Sequence, residues 1–357
     1  MNEKRALLDC TQEELKQYVR DLREPAFRAG QIWQWLYKGA RFSEMTNLPK
    51  ALQEKLESAF DDIPMRQHAA FASQKDDTVK FLFACQDENL IEGVLMHYHY
   101  GYTLCISTQV GCRMGCAFCA STLNGCERNL SAGEMLAQVL LANRYLGERG
   151  HVGHVVLMGS GEPLDNYAET IRFLRMINAP EGLNISLRNI SVSTCGLVPR
   201  MEALSQEGLP ITLSISLHAP NDDIRKQIMP IANRYPIGEL TQTARDYVKK
   251  TGRRVVFEYA LIDGLNSAPE HARELAQLVG GMQCHVNLIP LNRVEESPLK
   301  PASAKAVQEF LDTLTSLRIS ATCRREMGTD ISGACGQLRH QHLKNSAKID
   351  TIEEAQD

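Results

Sequence analysis

Between residues 105 and 119 the chain reads Cys105-Ile106-Ser107-Thr108-Gln109-Val110-Gly111-Cys112-Arg113-Met114-Gly115-Cys116-Ala117-Phe118-Cys119, and no other stretch restricts the fold so strongly. Cys112, Cys116 and Cys119 are spaced Cys-x3-Cys-x2-Cys just after a strand-like run. Thiolates this close can converge on one centre, and Gly111 and Gly115 let the backbone wrap around it without Cβ clashes. A structural zinc ion would want a fourth protein ligand. Three thiolates suit a four-iron four-sulfur cluster better, because one iron stays open for a substrate group. Cysteines can also be plain buried apolar residues, but the glycines and Phe118 within the run favour a cluster loop.

The chain has 357 residues, 43% hydrophobic and 23% charged, enough for one large α/β unit with smaller ones attached. No apolar run is long enough to span a bilayer and no basic-then-apolar leader opens the sequence, so a cytoplasmic protein is expected. Eleven cysteines in such a chain read as reduced, metal-binding or catalytic thiols rather than disulfides. A formal charge of -4 does not advertise a nucleic-acid partner and does not exclude one, since a local basic face is what attracts phosphates.

Residues 1–62 predict a helical accessory domain. Thr11-Gln12-Glu13-Glu14 has the form of a capping box, and Leu15, Tyr18, Val19 and Leu22 recur at helical spacing. A second helix is expected from Phe27 to Tyr37 and a third from Lys50 to Phe60. Arg20, Arg23, Arg28, Lys38 and Arg41 would let this unit grip an RNA backbone, although each alone reads as solvated surface. Across 63–103 the runs Thr78 to Phe83 and Leu90 to Met96 predict a small antiparallel sheet. From 104 to 345, strands near Leu104, His154–Met158, Asn189–Ser193, Ile211–Leu217, Arg254–Leu261 and Cys284–Leu291 alternate with helices. This pattern predicts an α/β fold, a partial (β/α)6 barrel with chemistry at the carboxyl ends of its parallel strands. Residues 346–357 read as a solvated tail.

Chemically informative residues fall at those strand ends. Met158-Gly159-Ser160-Gly161-Glu162-Pro163 follows the second strand, where glycines admit a ligand to the backbone and a glutamate can accept from an ammonium group. Ser193 ends the third strand, Ser216-Leu217-His218 the fourth, and Asn292 follows the sixth. A glycine-bearing loop after Cys323 carries Cys335.

The cysteine loop resembles that of the radical S-adenosylmethionine (SAM) enzymes, and Gly161-Glu162-Pro163 is similar to the element with which they hold the cofactor's methionyl amine. The run Asp330 to Leu338, the run Ser216 to Asn221 and the placement of Cys105 resemble the bacterial dual-specificity RNA methyltransferases that act on C2 of adenine. The resemblance covers nearly the whole chain. It implies that Cys112, Cys116 and Cys119 hold a [4Fe-4S] cluster and that Gly161, Glu162, Ser193, Ser216, Leu217, His218 and Asn292 contact SAM. Cys335 is then expected to carry the methyl group, Cys105 to be its thiol partner and Glu92 to be the proton acceptor. Ser160 departs from the methionine expected in many relatives and leaves Gly161-Glu162-Pro163 intact. The same resemblance implies two SAM per turnover, 23S rRNA and tRNA as substrates, an electron donor such as flavodoxin or ferredoxin, and a monomer. Two alternatives are a related methyltransferase acting on C8 of adenine and a zinc-stabilised RNA-binding module without activity.

Overall fold

The computed structural model describes residues 4–291, 297–325, 327, 328, 330 and 331. The chain opens with β1 (Arg5–Ala6) and three helices, α1 (Gln12–Asp21), α2 (Phe27–Leu36) and α3 (Lys50–Ala59), closed by β2 (Phe60–Asp61) pairing with β1. Helix α1 starts where its capping box places it: Thr11 Oγ1 accepts the Glu14 N–H at 3.1 Å and the Glu14 carboxylate accepts the Thr11 N–H at 2.7 Å. Leu7, Leu8, Leu15, Val19 and Trp33 bury their side chains in the same apolar core that underlies the barrel.

Next comes a meander of β3 (Met65–Ala72), β4 (Val79–Cys85), β5 (Leu90–Tyr98) and β6 (Gly101–Cys105), each antiparallel to the one before. The hairpin β7 (Gln109–Gly111) and β8 (Cys126–Asn129) flanks the cysteine loop. Strands and helices then alternate: α4 (Ala132–Leu146), β9 (Val152–Leu157), α5 (Tyr167–Ile177), β10 (Ile190–Thr194), α6 (Val198–Leu204) and β11 (Thr212–Ser216). Two helices follow, α7 (Asp222–Ile228) and α8 (Ile237–Thr251), then β12 (Val255–Leu261), α9 (Pro269–Val279), β13 (Cys284–Pro290), α10 (Ala304–Ser316) and β14 (Ala321–Cys323).

All the barrel strands and the meander belong to one ten-stranded sheet in the order β14-β13-β12-β11-β10-β9-β6-β5-β4-β3. The six parallel strands expected from the sequence are joined by β14, whose three residues are too few to show a period. The antiparallel strands form no separate sheet, because β5 hydrogen-bonds to the first barrel strand β6. They also gain a member, β3, whose opening Met65-Arg66-Gln67-His68 is mostly polar and exposed.

Alternation across the pleat gives the sheet two unlike faces. Val155, Leu157, Ile190, Val192, Leu213, Ile215, Val255, Phe257, Val286 and Leu288 point outward and are fully buried. Each such side chain removed from water contributes roughly 1.5–3 kcal/mol. The concave face carries polar side chains among apolar ones. Cross-strand register aligns Cys105 with Val156, Val156 with Ser191 and Ser191 with Thr212, and further along aligns Ser216 with Glu258 and Glu258 with Asn287. No described helix is long and apolar enough to cross a membrane.

Candidate active site

The β7–β8 hairpin presents the cysteine loop at the mouth of the barrel. Gly111 has φ +80°, and a Cβ there would run into the Gly125 carbonyl oxygen, which accepts the Cys112 N–H at 2.8 Å. Cys119 N–H closes a turn on the Cys116 carbonyl at 3.0 Å, and Ala117 N–H donates to the last carbonyl of α7, that of Ile228, at 2.9 Å. The three cysteines line one cavity of about 1190 Å³, its open mouth included. Gly161, Glu162, Ser193, Ser216 and His218 line the same cavity.

Burial pushes the Cys112 thiol up to about 12 and raises Cys116 as well, with Cys119 adding to both. Such thiols ionise only when a cationic centre compensates them, which iron does. Among the described residues no three His, Cys, Asp or Glu side chains converge as they would on a single ion. Three thiols that line one cavity fit a cluster, which they would hold through their sulfurs.

Gly161 has φ +107°, and a Cβ on it would lie 2.7 Å from the Gln109 backbone nitrogen, so only glycine fits. The next residue, Glu162, is buried, and its carboxylate is aimed by the Cys195 N–H at 2.7 Å and the Leu164 N–H at 3.0 Å. Burial raises its carboxyl, opposed by the hydrogen bond from Cys195. A cation entering the cavity would restore the charged form, as an ammonium ligand requires.

His218 sits at φ +54° with Nδ1 accepting the Ala260 N–H at 2.9 Å, so its proton is on Nε2. Burial pushes its pKa down to about 3, and the neutral ring stands edge-on to Phe118 with centroids 4.7 Å apart. Leu217 differs from its neighbours: it does not line the cavity, its side chain is in the core, and its N–H donates to the Glu258 carbonyl at 3.1 Å.

Glu92 and Cys105 lie outside the cavity lining. On β5, the Glu92 carboxylate meets Lys80 Nζ at 3.0 Å in a pair almost closed to solvent. Cys105 clusters with Val94 and Met96, and Met158, which lines the cavity, and Met327 pack against that cluster. Cys335 and Asn292 lie outside the described residues.

Three residues of the site carry no expectation from the sequence. Glu258, in the cavity floor, accepts from Asn287 Nδ2 at 2.7 Å, and its phase with Val256 and Ala260 on β12 was the signal for an inward position. Cys195 acts through its backbone N–H, which no side-chain pattern reveals. Arg225 of α7 lies behind the cavity wall, fully buried.

A half-barrel with a three-cysteine loop at its mouth and a buried glutamate one βα unit later defines a radical SAM protein, and residues 106–278 match the Radical SAM superfamily model. Residues 5–61 match the model of the ribosomal RNA large subunit methyltransferase N-terminal domain. A probable dual-specificity RNA methyltransferase RlmN from Alkaliphilus oremlandii is 52% identical over 344 residues, 96% of this chain and 100% of its own. Another from Clostridium tetani is 50% identical over 343 residues, 96% of this chain and 98% of its own. A radical SAM methyltransferase of known crystal structure from Sphaerobacter thermophilus is 44% identical, with a TM-score of 0.91 over 93% of this chain and 98% of that one. The chain belongs to the RlmN family of dual-specificity RNA methyltransferases.

Proposed function

We propose that this protein methylates C2 of adenosine in 23S rRNA and tRNA through a methyl group carried on Cys335. C2 of adenine is an electron-poor aromatic carbon and cannot attack a sulfonium methyl as an amine would, so a radical route is required. Cys112, Cys116 and Cys119 would hold a [4Fe-4S] cluster, which would supply the electron for SAM cleavage, drawn from a donor such as flavodoxin or ferredoxin. The cavity residues orient the cofactor: Glu162 receives its ammonium group, Gly161 lets it approach the backbone, and Ser193, Ser216, His218 and Asn292 contact the rest.

The chain's own thiols do the remaining work in a ping-pong sequence that uses two SAM. The Cys335 thiolate takes the methyl group of one SAM by displacement, releasing S-adenosylhomocysteine. Transfer of a hydrogen atom from that S-methyl group to the 5′-deoxyadenosyl radical that cleavage of the second SAM would supply leaves a carbon radical that adds to C2, joining protein and RNA. Glu92 takes the C2 proton as the adduct returns one electron, for which the oxidised cluster on the three cysteines would be the acceptor, and Lys80 supplies the opposite charge that a buried carboxylate needs. The Cys105 thiolate then attacks the Cys335 sulfur, the sulfur–carbon bond breaks, the methyl carbon takes up a proton and a disulfide remains.

The observation that carries this reading is the position of Cys105 on the concave face, in a small apolar cluster with Val94 and Met96 against which Met327 packs. Cys335 follows Ile331 by four residues, a reach of at most ~14 Å. Cys105→Ala is expected to load the methyl group and attack the base but fail at release. A denaturing gel should show a slow protein–RNA band that ribonuclease collapses, absent in Cys335→Ala and in the double variant. Normal turnover of Cys105→Ala to free C2-methylated RNA, identified by nucleoside mass spectrometry, would remove the resolving role from this thiol.

A further inference from the structure

Arg225 is 0% exposed, although a guanidinium is among the costliest groups to bury without an anion. It makes three hydrogen bonds, all to neutral carbonyls at the ends of two strands: Nη2 to Cys195 at 2.7 Å, Nη2 to Ser216 at 3.3 Å and Nε to Leu217 at 3.2 Å. Its Nη1 has no partner among the described residues. Asp222, on the same helix, acts on Arg225 only at longer range and accepts the Ile237 N–H at 2.9 Å.

The surroundings of Arg225 show where its counter-charge belongs. Helix α7 backs the cysteine loop, with Ile228 accepting the Ala117 N–H at 2.9 Å and Pro230 Cγ 3.4 Å from the position of a Gly115 Cβ. Met229, just after the helix, lines the cavity with Cys116. Burial lowers the Arg225 pKa, opposed by Cys195 and Cys116, yet a guanidinium starts so high that it stays charged. A four-iron cluster on three thiolates is an anion and gains one more negative charge when reduced. A buried cation beside it therefore favours the reduced state over the oxidised one.

We propose that Arg225 is a positioning residue that draws the ends of β10 and β11 together around the cofactor and, by its charge, raises the reduction potential of the cluster. The proposal rests on the cluster assignment above. The experiment reconstitutes full-length wild type, Arg225→Gln and Arg225→Lys with iron and sulfide, then measures iron content and titrates each with dithionite while following the reduced cluster by electron paramagnetic resonance. At a fixed potential the ratio of reduced to oxidised cluster in Arg225→Gln should fall about tenfold, ~59 mV for one electron. Arg225→Lys, which keeps the charge without the fork, should recover most of that shift.

Wild-type protein that forms no four-iron cluster would defeat the cluster assignment itself, before any variant is compared. With the wild-type cluster in place, Arg225→Gln holding full iron at the wild-type potential overturns the proposal, and so does Arg225→Lys falling as far as Arg225→Gln. Should Arg225→Gln hold no iron, Arg225→Lys decides. Full iron at the wild-type potential upholds the role of charge, whereas a lowered potential or no iron leaves Arg225 a part of the fold alone.

Discussion

His218 shows how one backbone hydrogen bond sets the chemistry of a side chain. With Nδ1 committed to the Ala260 N–H, the ring can offer the cavity only Nε2–H, and protonation would break the contact. Its pKa in the folded protein, about 3, lies below the ordinary 6.5 of the unfolded ring. The stabilisation is complete above the unfolded value and is lost progressively as pH falls from 6.5 toward about 3. The slope is at most ~1.4 kcal/mol per pH unit. His218→Asn tolerates the left-handed backbone and does not titrate. The gap in Tm between wild type and this variant should therefore narrow from neutral to mildly acidic pH; a gap independent of pH would show that the ring is not held neutral by its surroundings.

Among the elements, the β7–β8 hairpin holds the shape of the cysteine loop. Gly111→Ala combines a left-handed φ with a collision against the Gly125 carbonyl, costing roughly 1–3 kcal/mol. The expected outcome is a lower Tm and a large loss of iron on reconstitution; full iron would mean that the loop shapes itself without the hairpin. Elements with a strong local code were legible in the sequence. The start of α1 was written in Thr11 and Glu14, and Gly161-Glu162 in its position after a strand. Helix α7 was not legible, because it is seven residues long and its buried face, Ile224, Arg225 and Ile228, includes a charged residue that breaks the apolar stripe. Strand β3 was hidden by polar residues that pair at a sheet edge without entering the core.

The molecule as a whole does not separate cleanly into an accessory cap and a barrel, since Leu7, Leu8 and Trp33 share the barrel's core. Deleting the first helices would uncover that core, so their contribution to RNA binding is better tested by charge. Arg20, Arg23, Lys38 and Arg41 are exposed, Arg41 while paired with Asp62 at 3.0 Å, whereas Arg28 is engaged with Gln31 at 2.8 Å and the Asn47 carbonyl at 2.9 Å. If the exposed cations meet phosphates, replacing all four with glutamine should make the dependence of log K on log salt shallower by ~0.7–0.9 for each phosphate no longer neutralised. Iron content should not change. An unaltered salt slope would assign this face to other work.

The two unlike faces of the sheet also govern how the chain can change in length. Inserting or deleting one residue within β10, β11 or β12 exchanges the faces from that point onward. Ser193, Ser216 or Glu258 would turn beneath the helices, and Val192, Ile215 or Phe257 would turn into the cavity. Both errors arise together, and no single substitution reverses them. Drift in length is therefore tolerated only in the connections, while the strands of the barrel keep their residue count as strictly as a reading frame.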